Sequence, residues 1–321
     1  MPFWILLQLL CFSRQDRRIQ AKGRFPVCNI KIAYLLVAHK CPEQVNAFID
    51  QLLDYGNCDV YVHVDKKNPE LLKNIKKSSR VFVCSIFDVR WGSFEIVKAA
   101  VELMRAAMKS ENKYSHIYFG SGQDLLVKQG LYEYLDCHPD NIFLEITGRI
   151  KNSDRASARY RICWPKKLMI RNDLHPYRFI RIAMQFLCRS GIVIRKNKVT
   201  LKNPVDFYEG HTWFIIPIAV MEYIISYLND NPDYFKFWEN SLASDLMFFQ
   251  TIIMNSSFAD KIKGELMYVN FGKTFGTMNH PMTITMDDID NIKKGDYYCA
   301  RKFEWNEKQS IDYFTKLVKE N

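Results

Sequence analysis

The chain has 321 residues, of which 48% are apolar and 14% aromatic, enough to bury a sizeable core and to exclude a disordered polypeptide. Forty-five Lys and Arg against thirty-five Asp and Glu leave a formal charge of +10, which favours a polyanionic partner such as a diphosphate, an anionic glycan or an acidic membrane surface. No nucleic-acid motif occurs with its proper spacing, and the nine cysteines stand singly with no CxxC pair for zinc or redox chemistry.

Residues 1–29 are apolar and then basic. FWILLQLLCF runs for ten residues before RQDRR, short of the roughly 20 apolar residues of a membrane span. It lacks a small-residue cleavage site and reads as an interfacial anchor. With single cysteines that suit a reducing compartment, the expectation is a cytoplasmic protein, peripheral at the membrane.

One domain is expected over residues 30–305, with a helix or tail over 306–321. KIAYLLVAH reads as a buried strand, and Pro42 opens a helix that closes at Gly56. DVYVHVD (59–65) alternates as a strand, PELLKNIKK suits a short helix and VFVCSI a third strand. FEIVKAAVELMRAAMKS predicts a long helix with Val97, Val101, Met104 and Met108 on one face, and HIYFGSG a strand entering a turn. After a helix near 129–137 and the strand FLEIT, the basic stretch 148–204 shows no period and reads as an irregular insertion over the active-site cleft.

Regularity resumes with the strand HTWFIIP and the helices IAVMEYIISYLND and SLASDLMFFQTIIMNS. In TITMDDIDNIKKG, Thr285 and Asp288 have capping-box spacing, Gly295 marks the helix end, and DYYCARKF follows as a loop. This alternation predicts an α/β fold around a parallel sheet.

In such a sheet, ligands gather beyond the carboxyl ends of the strands. Three polar clusters fall there: Ala38 with His39, the HVD of 63–65, and the SGQD of 121–124. A strand-end acid can hold ribose hydroxyls, and the small residues of SGQD let backbone approach a ligand. Taken alone, Asp65 reads as a solvated turn residue beside Lys66 and Lys67.

KIAYLLVAHK, VYVHVDKK, DVRWGSFEIVKAAVELMRAAM, FGSGQDLLVK, GHTWFIIP, FFQTIIMNS, HPMTITMDDI and ARKF occur in this order over roughly residues 30–305. In this order they resemble the core-2/I-branching β-1,6-N-acetylglucosaminyltransferases and peptide O-xylosyltransferases. The resemblance implies a GT-A, Rossmann-like nucleotide-sugar fold with a mixed sheet flanked by helices. It implies a UDP-sugar donor, a glycan or other hydroxyl acceptor, inversion at the anomeric carbon, and no divalent metal or other cofactor. Donor contacts are expected from Ala38, His39, Asp65, Ser121, Gly122, Gln123 and Asp124. Independently, SGQD offers only Asp124 where a metal site would want Asp-x-Asp, and the one Asp-x-Asp, Asp288 with Asp290, falls in the first turn of a helix. Arg301 and Lys302 match the basic pair before Phe in the closing motif and are expected to neutralise the departing diphosphate.

Inverting transfer needs one general base on the acceptor hydroxyl. The family's Glu position falls on Leu246, so Asp245 becomes the candidate base, with Glu239 and Glu209 as fallbacks. In a regular helix Asp245 would point about 100° away from that position, and substitution requires a local shift of the backbone. The alternative is a pseudoenzyme that binds nucleotide sugar or glycan. Trp213, with Glu209, is the expected acceptor platform, whereas Trp91 belongs to the WG motif. The family's LRYIDW-type segment here reads Leu266, Met267, Tyr268, Val269, Asn270 and Phe271, without its Arg and Asp.

Overall fold

The computed structural model describes residues 30–170, 175–272 and 281–319. The anchor expected within 1–29, and His280 of the closing motif, lie outside them.

A six-stranded mixed sheet forms the centre, built from β1 (Ile32–Ala38), β2 (Cys58–Val64), β3 (Val81–Cys84), β4 (His116–Ser121), the three-residue β5 (Asp124–Leu126) lying outside it, then β6 (Phe143–Arg149) and β7 (Tyr208–Pro217). Its order is β3-β2-β1-β4-β7-β6. The first four strands are parallel, and β7 is antiparallel to both neighbours. The order turns back between β1 and β4, the kind of switch point at whose strand carboxyl ends open α/β sheets bind their ligands.

Strand β1 is apolar throughout because helices cover both its faces. Tyr34 and Leu36 pack toward α1 (Pro42–Tyr55), whose Phe48 and Leu52 are fully buried. Ala33 and Leu35 face a second core that contains Met104 from a helix over Glu95–Met108 and Ile224 from one over Ile218–Asp230. A short helix α2 (Pro69–Asn74) precedes the former, which is α3. Then come α4 (Leu131–Cys137), the one-turn α5 (Ala158–Arg161), α6 (Pro176–Arg189), the Ile218–Asp230 helix as α7, α8 (Pro232–Trp238) and α9 (Phe248–Met254). The chain finishes with β8 (Met267–Val269), α10 (Ile289–Lys294), β9 (Cys299–Arg301) and α11 (Lys308–Lys319). Strands β5, β9 and β8 make a second, three-stranded sheet.

Most expected elements form, including the Thr285–Asp288 capping box ahead of α10, which ends at Gly295. Four readings need correction. The 148–204 stretch holds a 14-residue helix, α6, in which Phe179, Ile182 and Phe186 recur at helical spacing but lie on the outer side, while Arg181 and Gln185 turn inward among the surrounding basic residues. DYYCARKF contains β9, which pairs with β5 and β8. Met108, the last residue of α3, is 44% exposed, while Val97, Val101 and Met104 are buried. The continuous helix read over SLASDLMFFQTIIMNS is broken: a 3₁₀ turn over Ser244–Leu246 precedes α9, separated by Met247 in a non-helical conformation.

Among the described residues no helix is long and apolar enough to cross a membrane, and the seven described cysteines are unpaired.

Candidate active site at the sheet switch point

The parallel register sets Ala38 opposite Val64 and Val37 opposite Ser121, which brings the three strand-end clusters side by side. The Asp65 amide donates to Ala38 O at 2.8 Å, and the Gly122 amide to Val37 O at 3.1 Å. Asp65 is 5% exposed, which corrects its reading as a solvated residue. One oxygen accepts from the Lys67 amide, and the Lys67 ammonium lies 3.0 Å from the other. At Gly122 a Cβ would stand 2.5 Å from Val45 Cγ2 of α1, so packing against that helix is a further reason for a glycine here.

Asp124 is fully buried. Its carboxylate accepts from the Tyr118 hydroxyl (2.9 Å), the Ser121 amide (2.7 Å) and the Ser121 hydroxyl (2.9 Å). Arg301, directly across the β5–β9 pair, brings Nε to 3.5 Å. Burial pushes the Asp124 carboxyl up from the ordinary aspartate value, and Arg301 and the donors of Ser121 and Tyr118 oppose it. Arg301 in turn lies over the Trp213 ring, 4.1 Å from its centroid, and points Nη2 at Ser121 Oγ at 3.4 Å. Asp124 therefore sets Arg301, and Trp213 supports it from below.

Lys302 stands next to a second cation absent from the sequence reading, Lys40. Both ammonium groups close on Glu304, at 2.6 Å and 2.8 Å, and Gln123 Nε2 adds a bond at 3.0 Å. Burial would raise the Glu304 carboxyl, but the two lysines outweigh it and hold it below its usual value. His39 feels this group as well: burial first, then Lys40, lower its pKa, so it is neutral near pH 7.

Asp245 reaches the same neighbourhood. Ala243 adopts a left-handed conformation (φ 51°), its amide donating to Gly92 O at 2.7 Å, and the following 3₁₀ turn carries Asp245 to β7. There Thr212 Oγ1 donates to Asp245 Oδ2 at 2.8 Å. Burial raises the Asp245 carboxyl, while the Thr212 bond and the charges of Arg159 and Arg301 pull it back. Leu246 packs partly buried against the second core.

The other site residues are spread more widely. Glu209 pairs with Arg159 at the edge of β7, and Glu239 pairs at 3.7 Å with Lys98 of α3. Trp213 gives one ring face to Arg301 and lies tilted against Phe119. Trp91 is 42% exposed beneath the Arg181 guanidinium. Asp288 is occupied by its cap and by donors from Tyr268 and Asn270. Sequence reasoning missed Lys40, Glu304, Arg159 and Thr212. Lys40 and Glu304 adjoin the singled-out His39 and ARKF, whereas nothing in the spacing of residues 148–204 distinguishes Arg159.

No curated protein matches the chain significantly. Among solved structures, it is similar to the 4-diphosphocytidyl-2C-methyl-D-erythritol synthase of Anaerococcus prevotii, at 11% identity over 83% of this chain and 96% of that one, with a TM-score of 0.35. The family model described as Core-2/I-Branching enzyme matches residues 32–296, from the first core strand to just past α10. The chain belongs to the Core-2/I-branching enzymes and is a glycosyltransferase.

Proposed function

We propose that the protein transfers a sugar, N-acetylglucosamine or else xylose, from its UDP derivative to a hydroxyl of a glycan or similar acceptor, inverting the anomeric centre without a divalent metal. The observation that carries this reading is Arg301: a buried cation from the closing motif, fixed by Asp124 and Trp213, whose charge also acts on the candidate base Asp245. Arg301, with Lys302 and Lys40, supplies the fixed positive charge that a leaving diphosphate requires. Asp124 is poorly suited to bind a metal, because its oxygens already take three hydrogen bonds and a guanidinium. Asp245 has the raised pKa of a poised base. Thr212 orients it through Oδ2, leaving Oδ1 to accept the proton of the attacking hydroxyl.

A second reading rests on Leu246. It stands at the family's Glu position and packs into apolar surroundings, which favours a protein that binds nucleotide sugar without turning it over. UDP release, measured over a panel of acceptors with EDTA present, separates the two. For an active enzyme, Asp245→Asn lowers turnover roughly a hundredfold or more and preserves donor binding. An inactive parent in which Leu246→Glu restores transfer establishes the second reading. An active parent indifferent to Asp245→Asn removes Asp245 from the chemistry, and strict dependence on Mn²⁺ or Mg²⁺ removes the metal-free site.

A further inference from the structure

Helix α6 is turned inside out. At about 100° per residue, Arg181, Met184, Gln185 and Cys188 share one side, and it is this side that is buried. Arg181 donates to the carbonyls of Leu168 and Ile170 and lies over Trp91, while Gln185 accepts from Arg155. The opposite side carries Phe179 (64% exposed), Ile182 and Phe186 (66% exposed), flanked by Ile180. The turn that follows adds exposed Ile192 and Ile194. Isolated exposed apolar residues need no explanation, but six large ones within 16 positions form a patch that does.

The charge around the patch identifies its partner. Apart from the inward Arg181, residues 175 to 205 carry six Lys and Arg and no Asp or Glu. A second copy of this chain would bring another +10 against it. The apolar segment at 1–29 is basic too, with five Lys and Arg and one Asp. An occupant that is apolar inside and anionic outside matches both properties, and a bilayer with acidic headgroups has that structure.

We propose that the outer face of α6 and the Ile192–Ile194 turn dock the protein on an anionic lipid surface. The aromatic and aliphatic side chains enter the headgroup boundary, and Arg189, Arg195, Lys196 and Lys198 meet the phosphates. The docking face lies one loop from the candidate base: Arg181 covers Trp91, and the neighbouring Gly92 carbonyl holds Ala243, two residues before Asp245. This inference does not depend on the transferase chemistry, because its readout is binding alone.

The test is co-sedimentation of the full chain with vesicles of mixed phosphatidylcholine and phosphatidylglycerol, compared with phosphatidylcholine alone. The parent should sediment with the mixed vesicles only. Phe179→Ser with Phe186→Ser should weaken that binding by at least about tenfold, since two rings no longer leave water. Arg195→Gln with Lys196→Gln and Lys198→Gln should weaken it by roughly tenfold or more. Both variants change exposed positions, so their circular dichroism and urea midpoints should match the parent's. Retention of full binding by the Phe variant would place the lipid contact elsewhere in the chain and overturn the proposal. Equal sedimentation with phosphatidylcholine alone would also overturn it, as would a lipid-free dimer that the Phe variant dissociates.

Discussion

Replacing Arg301 with Ala should damage the fold before it damages the chemistry. Asp124 is fully buried, and Arg301 is the only cation that the structure places within 4 Å of its carboxylate among the described residues. Removing one partner of a buried ion pair costs about 3–5 kcal/mol. The three hydrogen bonds from Tyr118 and Ser121 persist, so the lower end, about 3 kcal/mol, applies. An unfolding entropy of about 2.1 cal/mol/K per residue gives roughly 0.7 kcal/mol/K for this chain, so Tm should fall by about 4–5 °C. Without Arg301 the Asp124 pKa, already raised by burial, rises further. A folded-state pKa above the unfolded one contributes stability below the unfolded pKa and loses it as pH rises through the folded value, so the deficit should be larger near pH 8 than near pH 5. Adding Asp124→Asn removes the orphaned charge and should recover about 1–2 kcal/mol. Urea unfolding followed by tryptophan fluorescence, on the four members of this cycle, measures each quantity. A loss below about 1 kcal/mol for Arg301→Ala, or additivity within about 0.5 kcal/mol, would refute the claim that these two residues act as a unit.

Lys302→Ala leaves that pair intact and should weaken UDP binding, read by calorimetry, by about tenfold while uridine binding is unchanged; equal losses would place Lys302 away from the diphosphate. Glu304→Gln releases Lys40 and Lys302 from a carboxylate that competes with phosphate, so UDP affinity should rise by roughly threefold to tenfold; a fall would mean that Glu304 is needed to aim the lysines. Arg159 favours the ionised form of Asp245, so Arg159→Gln should raise the Asp245 pKa and move the acid limb of kcat/KM to higher pH; an unmoved limb would separate the two groups.

The six strands of the central sheet, α1, α3 and α7 are legible in the sequence because each buries its apolar side, so periodicity reports where it faces. Tyr34 and Leu36 alternate with Ala33 and Leu35 across β1, and Val97, Val101 and Met104 line α3. Helix α6 defeats that logic, since Phe179 and Phe186 look outward and Arg181 and Gln185 inward. Strand β9 escapes for another reason: three residues, Cys299 to Arg301, are too few to show a period, and their state is set by β5 and β8, which are distant in sequence.

The site was legible in proportion to how locally its residues are joined. The strand-end clusters converge because parallel pairing of adjacent strands forces their ends together, a consequence of topology that the sequence pattern carries. The Lys40–Glu304–Lys302 group joins positions 264 residues apart, and no spacing encodes it. Asp245 shows the limit of reasoning by helical angle. A 100° offset from Leu246 counts against it only while the segment is one helix, and the left-handed Ala243 and the break at Met247 remove that premise. What replaces the angle is a contact, Thr212 to Asp245, which ties the carboxylate to β7 beside Trp213 and Arg301. Held against the strand that carries Trp213, the Asp245 carboxyl combines three properties that a general base requires: a raised pKa, a fixed orientation, and the charges of Arg159 and Arg301 nearby to favour its ionised form.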